Sequence, residues 1–155
     1  MKNTRIRPAE TKDAGAVLRL IKDLAAQHDA SQMIVWTETD LAEILSDTRS
    51  PFDAFVAEDT DTGEVIGCAL YFERVSSWKG PTLHIEDLIV RPEYRGGRIG
   101  EALMDAVIDR ARDKGIDRVE LDVERDNQAA LRFYRRKGFD TDSWQAAKFY
   151  LDPIR

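Results

Sequence analysis

The chain has 155 residues, a formal net charge of −6 and 43% hydrophobic residues, which suffices for one domain with a closed core. The negative charge argues against a nucleic-acid-binding surface, and no run approaches the roughly 20 apolar residues that a membrane-spanning helix needs. The first residues, MKNTRIRPAE, lack the apolar region of a secretory signal. We therefore expect a single domain, residues 1–155, in the cytoplasm.

The first half of the chain predicts a strand, two helices and a hairpin. RIR before Pro8 is typical of a short strand, and apolar residues then recur at helical spacing through residues 17–25. Thr37 and Asp40 have the spacing of a capping box, which predicts a second helix that ends near Ser46. DAFVAED and EVIGCALYFER predict two antiparallel strands around a turn in which Gly63 supplies a positive φ.

The second half predicts a loop followed by alternating strands and helices. SSWKGP is the predicted loop and TLHIEDLIV the next strand, and a helix after it ends at Gly115. RVELDV is a further strand, Asn127 is the N-cap of a helix that ends at Gly138, and AAKFYL is the closing strand. This order predicts an α/β domain with a mixed, mostly antiparallel central sheet flanked by helices.

Cysteine and histidine are scarce. Cys68 lies in the apolar run VIGCALYF, where we expect a buried core thiol. His28 and His84 are the only histidines, and with one cysteine they offer no ligand spacing for structural zinc. No metal site is expected.

A glycine-rich segment, PEYRGGRIG at residues 92–100, leads into the third predicted helix. A helix N-terminus presents free N–H groups and partial positive charge, and glycines let a phosphate group approach them. A glycine-rich helix cap without a ligand is an equal alternative on this pattern, and the Rossmann and P-loop spacings are absent. The residues of this candidate anion site are Arg95, Gly96, Gly97, Arg98, Ile99 and Gly100.

Two adjacent carboxylates, Glu86 and Asp87, interrupt the apolar strand TLHIEDLIV. Neighbouring side chains in a regular strand point to opposite faces, so one carboxylate is expected to face an apolar layer. A buried charge is costly unless a cleft, a bulge or a cation accompanies it. Alternatively, the pair has no functional role: one carboxylate points to solvent and the other forms a salt bridge.

The strand and the glycine-rich segment together resemble the acetyl-CoA signature of the GNAT superfamily of N-acetyltransferases, R/Q-x-x-G-x-G/A. Gly100 matches the second glycine of that signature, and Arg98 stands at the position of the first. Three longer segments are similar to the diamine acetyltransferases, the group of the spermidine/spermine and thialysine acetyltransferases: IRPAETKDAGAVLRLIKDLA, SSWKGPTLHIEDLIVRPEYRG and DNQAALRFYRRKGF. The resemblance implies the GNAT fold, with its sheet splayed at a bulge in the strand around residues 82–90.

The resemblance implies acetyl-CoA as the acetyl donor, with no metal. The glycine-rich segment would hold the pyrophosphate, and the strand after the bulge would pair with the pantetheine arm. Backbone N–H groups near Leu88 and Val90 would position the acetyl group and stabilise the oxyanion. The implied cofactor-binding residues are Leu88, Ile89, Val90, Arg95, Gly96, Gly97, Arg98, Ile99, Gly100, Asn127, Ala130 and Tyr134.

The resemblance also implies catalytic residues. A primary amine is mostly protonated at neutral pH and only its free form attacks a thioester, so a base is required. Glu86, expected to be buried, would be that base, and Tyr134 would be the general acid that protonates the CoA thiolate. Without the resemblance, Tyr134 is better explained as a core residue. The implied substrate-binding residues are Glu86, Asp87, Trp78, Asp126 and Trp144.

These expectations describe an N-acetyltransferase in which the primary amine of a small diamine, polyamine-like or amino-acid-like substrate attacks acetyl-CoA directly in a ternary complex. The family implies a homodimer. Asp126 and Gln27 replace aromatic residues of the diamine acetyltransferases, which makes the expected amine pocket more polar. A protein lysine or N-terminal acetyltransferase and a non-catalytic acyl-CoA-binding module are the alternatives. The acidic residues that would attract a second ammonium group, or form solvated surface, are Asp122, Glu124, Asp126 and Asp142.

Overall fold

The computed structural model describes residues 3–142. The chain divides between Val119 and Glu120 into two compact units, and the expectation of a single domain stays a prediction. The predicted closing strand AAKFYL and the candidate substrate residue Trp144 lie outside the described residues. Within residues 3–142, no helix is both long and apolar enough to cross a membrane.

The described residues form an α/β fold around one sheet. Its strands follow the order β1-β2-β3-β4-β5, and the pairs β1–β2, β2–β3 and β3–β4 are antiparallel. The predicted α/β class with a mostly antiparallel sheet is confirmed. In chain order the elements are β1 Thr4–Pro8, α1 Ala14–Gln27, α2 Glu38–Ser46, β2 Phe52–Asp59, β3 Val65–Ser76, β4 Gly80–Val90, α3 Ile99–Asp113, β5 Val119–Leu121 and α4 Gln128–Arg136.

The helix boundaries follow from local capping. The predicted capping box of α2 is confirmed, because Thr37 Oγ1 accepts a hydrogen bond from Asp40 N at 3.2 Å and the Asp40 carboxylate accepts one from Thr37 N at 2.8 Å. α3 and α4 end before Gly115 and Gly138, whose φ angles of 69° and 90° suit glycine.

The hydrophobic core between the sheet and the first two helices contains Val17 and Leu20 of α1, Leu41 of α2, and Cys68 and Leu70 of β3. Cys68 is the buried thiol that the sequence predicts. Burial, with the nearby charge of Asp87, raises the pKa of this thiol far above its ordinary value, so it stays protonated and inert.

The connection between β3 and β4 is shorter than the predicted loop SSWKGP. β3 continues to Ser76 and β4 begins at Gly80, so only residues 77–79 connect the strands. The hydroxyl of Ser76 accepts hydrogen bonds from the backbone N–H groups of Trp78 and Lys79, at 3.3 and 3.2 Å. These bonds close a tight turn, which lets the strand ladder extend further than the polar composition suggests.

Candidate active site

Strand β4 contains one extra residue opposite β3. Leu70 pairs with Asp87 and Tyr71 pairs with Ile85, which leaves Glu86 between them without a partner in the register. This arrangement is a β-bulge. It lies within the strand segment, residues 82–90, where the family resemblance implies a bulge.

The bulge places His84 and Asp87 on the same face of the sheet. Residues directly opposite each other on neighbouring strands share a face, and Asp87 lies opposite Leu70, which points into the core below α1 and α2. Phe72, two residues after Leu70, shares this face and lies opposite His84. In a regular strand, side chains three residues apart would point in opposite directions.

Glu86 is the more exposed of the two carboxylates. Its side chain is 57% exposed, and Oε2 lies 3.9 Å from Nε2 of His84. The imidazole of His84 packs on Phe72, with ring centroids 4.9 Å apart. The expectation that Glu86 is buried is therefore wrong, because the bulge turns the extra residue towards solvent.

Asp87 is instead the carboxylate that faces the apolar layer. Its side chain is half-buried beside Leu70 and Cys68. Burial, together with the negative charge of Glu86, raises the pKa of the Asp87 carboxyl above its ordinary value. Two carboxylates in different environments thus stand side by side, one solvated and one partly desolvated, and a bound ammonium group would relieve the repulsion between them.

The turn into α3 contains a backbone conformation that glycine favours. Arg98, the N-cap residue of α3, has φ 62° and ψ 13°, in the left-handed region. This conformation costs an L-residue about 1–2 kcal/mol, and Arg98 stands where the acetyl-CoA signature has its first glycine. The chain therefore keeps the left-handed conformation at this position although arginine stands in place of glycine. The Arg98 side chain pairs with Glu101 in the first turn of α3, with Nε 2.9 Å from Oε2.

Neighbouring glycines leave open space around this turn. A Cβ atom added at Gly97 would meet only Tyr94 O, at 3.5 Å, and one added at Gly100 would meet only Val90 Cγ2, at 3.7 Å. Both are ordinary van der Waals distances, so packing within the protein does not require glycine at either position. A ligand that approaches the backbone supplies a reason for them, and a phosphate group at the N-terminus of α3 fits this space and its charge.

Arg95 is held at the outer edge of β4. Its Nε donates to Val90 O at 3.0 Å, and its guanidinium also donates to Oε1 of Gln27 at 3.2 Å. Sequence reasoning missed this role of Gln27, and no local signal in the sequence reveals it. Because Arg91 N donates to Ile66 O on β3, strand alternation directs the N–H groups of the candidate residues Leu88 and Val90 towards the opposite edge. Ile89 points into the core and is 4% exposed.

The second compact unit places its candidate residues in regular structure. Asn127 Oδ1 accepts a hydrogen bond from Ala130 N at 3.1 Å and so caps α4, as the sequence predicts. Tyr134 is half-buried, with its ring centroid 5.3 Å from Phe133 and 5.8 Å from Phe139. The four acidic candidates Asp122, Glu124, Asp126 and Asp142 are all exposed, and so is Asp140.

Trp78 lies at the tip of the β3–β4 turn and is 85% exposed. Val75, near the same tip, is 79% exposed. Among residues 3–142, no hydrogen bond or ring contact joins Trp78 to Glu86 or Asp87. In that part of the chain, no group of three or more histidine, cysteine, aspartate or glutamate side chains is placed to hold a metal ion.

Comparison with known proteins gives a consistent result. The model of the acetyltransferase (GNAT) family matches residues 17–139. The chain is 34% identical to thialysine N-epsilon-acetyltransferase of Bos taurus over 97% of this chain and 94% of that protein. It is 30% identical to spermidine/spermine N(1)-acetyltransferase-like protein 1 of Homo sapiens over 97% of this chain and 23% of that protein. An aminoglycoside acetyltransferase from an uncultured soil sample has a similar fold, with a TM-score of 0.78, 22% identity and 97% of both chains covered.

Proposed function

The chain belongs to the acetyltransferase (GNAT) family and is an acyltransferase, and from this premise we propose that it transfers acetyl from acetyl-CoA to the primary amine of a small substrate. The predicted resemblance to this family and to its diamine acetyltransferases is confirmed. The proposal adds that the amine attacks the thioester directly while both substrates are bound.

One observation carries the proposal: β4 bears the two carboxylates at its bulge and then leads, through the glycine-rich segment, to the N-terminus of α3. An amine needs negative charge and a proton acceptor, whereas a nucleotide-like donor needs an anion site. Residues 86–100 supply both within one continuous stretch of chain.

On the donor side, we propose that backbone N–H groups of the first turn of α3 hold the pyrophosphate of acetyl-CoA. Gly97 and Gly100 leave the room for it, and Arg95 stands at the adjacent edge of β4. Arg98 can add a charge-assisted hydrogen bond once it leaves Glu101. The N–H groups of Leu88 and Val90, which point to the edge of β4 opposite β3, are suited to position the acetyl group. The thioester of the donor supplies the activated acyl group.

On the acceptor side, we propose that Glu86 and Asp87 attract the ammonium form of the amine. Glu86 is solvated and then accepts the proton, directly or through water, so that the free amine attacks. Asp87, half-buried beside Glu86, offers a second carboxyl group for the ammonium group to contact. Relatives named for thialysine and for spermidine and spermine support a small acceptor with an amine on a flexible chain.

The remaining roles rest on resemblance alone. We propose Tyr134 as the general acid, Asn127 and Ala130 as cofactor contacts, and Trp78, Asp126 and Trp144 as substrate contacts. A homodimer in the cytoplasm is likewise a proposal. That both compact units belong to one domain is supported by the family match, which spans residues on either side of their boundary.

The direct test mixes the purified protein with acetyl-CoA and a panel of acceptors, and measures free CoA thiol and the mass of the product. The panel holds thialysine, spermidine, a monoamine of matched length and a lysine-containing peptide. We expect amine-dependent CoA release, intersecting initial-velocity patterns, and an advantage of diamines that shrinks as salt screens the second charge. Parallel patterns would contradict the ternary complex, and a preference for the peptide would favour a protein acetyltransferase.

A further inference from the structure

We propose that the hairpin between β2 and β3 positions the cofactor-binding segment, through a hydrogen bond from Tyr94 to Asp59. This inference rests on the proposed function, because it concerns the affinity of residues 95–100 for CoA. Neither residue lies in the acetyl-CoA signature itself, and both would act on the cofactor only through the backbone of that segment.

The hydrogen bond joins two parts of the chain that are distant in sequence. The hydroxyl of Tyr94 donates to Oδ2 of Asp59 at 3.3 Å. Asp59 ends β2 and is only 4% exposed, and its other oxygen accepts from Asp61 N at 3.0 Å within the turn. A buried carboxylate fixed by its own turn is a rigid acceptor. Tyr94 is therefore anchored immediately before Arg95, the first residue of the candidate cofactor segment.

Arg91 fastens the same hairpin to the end of β4. Its backbone N–H donates to Ile66 O at 2.9 Å, and its guanidinium donates to Oε2 of Glu64 at 3.0 Å. The guanidinium carbon also lies 5.8 Å from the centroid of the Tyr94 ring. Arg91 thus holds the chain where it leaves β4, and Tyr94 holds it again three residues later, just before residues 95–100.

The segment beyond Tyr94 is exposed, and side-chain contacts of Arg95 and Arg98 hold it at two points. Residues 95–98 are exposed, Gly96 has φ 82°, and Arg98 is held in the left-handed region. Exposed chain with such conformations has many alternatives, so binding a ligand there costs the free energy of ordering it. A tether that orders the segment before the ligand arrives lowers that cost and increases affinity without touching the ligand.

The molecule offers a matched control. The hydroxyl of Tyr71 donates to Oδ2 of Asp53 at 3.1 Å, which is a second tyrosine–aspartate bond that ends on β2. It joins β2 to β3 within the sheet, away from residues 92–98. Tyr94→Phe and Tyr71→Phe each remove one hydroxyl together with its hydrogen bond to an aspartate of β2. A general loss of stability should affect both variants, whereas a loss of positioning should affect Tyr94→Phe alone.

The test measures the Kd of CoA by calorimetry, the KM and kcat for acetyl-CoA, and backbone hydrogen exchange of residues 95–100, in the wild type and both variants. For Tyr94→Phe we expect the Kd to rise about fivefold, which is about 1 kcal/mol. The KM for acetyl-CoA should rise with it, kcat should stay, and exchange in the segment should be faster. Tyr71→Phe should keep the wild-type Kd and exchange. Asp59→Asn, which retains an oxygen for Asp61 N but loses the charge, is the second variant and should also raise the Kd.

Equal CoA affinity in wild type, Tyr94→Phe and Asp59→Asn would overturn the positioning role while leaving the proposed function intact. An equal loss of affinity in Tyr94→Phe and Tyr71→Phe would overturn it as well, because the effect would then be general. A wild-type protein that does not bind CoA would overturn the proposed function, and this inference with it.

Discussion

The two candidate catalytic residues lie in different surroundings: Glu86 is at an irregular point of strand β4, and Tyr134 is in the regular helix α4. β4 has a bulge at Glu86 and a half-buried carboxylate at Asp87 with a raised pKa. The chain that follows β4 enters α3 through Arg98, whose backbone lies in the left-handed region. In α4 each candidate has an ordinary structural role, since Asn127 caps the helix and Tyr134 packs against phenylalanine rings.

The irregular features of β4 themselves point to a function, whereas the regular features of α4 do not. Bulges, buried charges and left-handed residues cost free energy, and they persist where the surroundings enforce them, often at functional sites. The assignments on β4 therefore rest on geometry. Those on α4 rest on resemblance, because a cap and an aromatic contact are explained without any function.

Tyr134→Phe tests whether Tyr134 has a catalytic role beyond its packing in α4. Phenylalanine keeps the ring and its contacts with Phe133 and Phe139 but removes the proton donor. If Tyr134 is the general acid, kcat should fall by about 10² to 10⁴ while the CoA Kd and the melting temperature stay nearly constant. Unchanged kcat with a loss of about 1 kcal/mol in stability would instead make the tyrosine structural. Steady-state kinetics, calorimetry and thermal unfolding of this variant decide between the two.

Two glycine variants in the first unit distinguish a glycine that makes room for a ligand from one that packing requires. Gly100→Ala should leave the fold intact, since its Cβ would meet only Val90 Cγ2 at 3.7 Å, and should raise the CoA Kd about tenfold by crowding the ligand. Gly67→Ala is the contrasting control, because its Cβ would lie 2.8 Å from Ile89 O, a backbone atom. It should cost about 1–3 kcal/mol of folding stability. Denaturant unfolding and CoA titration of both variants check this, and wild-type affinity in folded Gly100→Ala would exclude the anion site.

The left-handed turn can be tested by comparing two substitutions at one position. Arg98→Gly and Arg98→Ala both remove the ion pair with Glu101, but only glycine adopts φ 62° without strain. The glycine variant should exceed the alanine variant in free energy of unfolding by about 1 kcal/mol. Urea unfolding measures the difference. An alanine variant as stable as the glycine variant would mean that the turn is not strained.

The half-buried Asp87 should make the folding stability of the protein depend weakly on pH. Because burial, followed by the charge of Glu86, raises its pKa in the folded state, folding favours the protonated acid. The corresponding stability is complete below the unfolded pKa of about 3.9 and is lost as pH rises through the folded pKa. Asp87→Asn cannot ionise, so its stability advantage over the wild type should grow as pH rises from 4 towards neutrality. Urea unfolding across this range checks the trend, and a constant difference would contradict it.

Features that depend on neighbouring residues could be predicted from the sequence, whereas features that depend on residues far apart in the chain could not. The capping box at Thr37 and the caps at Asn127 and Gly138 were predictable, because capping acts over three or four residues. The bulge was predictable in its location only through family resemblance. Which carboxylate it exposes was not, because that depends on the register of β4 against β3. The contacts of Gln27 with Arg95, and of Asp59 with Tyr94, join residues far apart in the chain and leave no local pattern.

If the bulge of β4 binds and deprotonates the acceptor amine, Glu86→Gln should impair the amine side of the reaction and leave the donor side intact. Glutamine keeps the size of the side chain and removes the proton acceptor. We expect kcat to fall by about 10² to 10⁴ near neutral pH and to recover in part at higher pH, where the amine is already free, whereas the CoA Kd should be unchanged. Glu73→Gln on the neighbouring strand, where the carboxylate pairs with Lys114, is the matched control and should keep its rate. A Glu86→Gln enzyme with the wild-type kcat, amine KM and pH–rate profile would show that Glu86 neither binds nor deprotonates the amine.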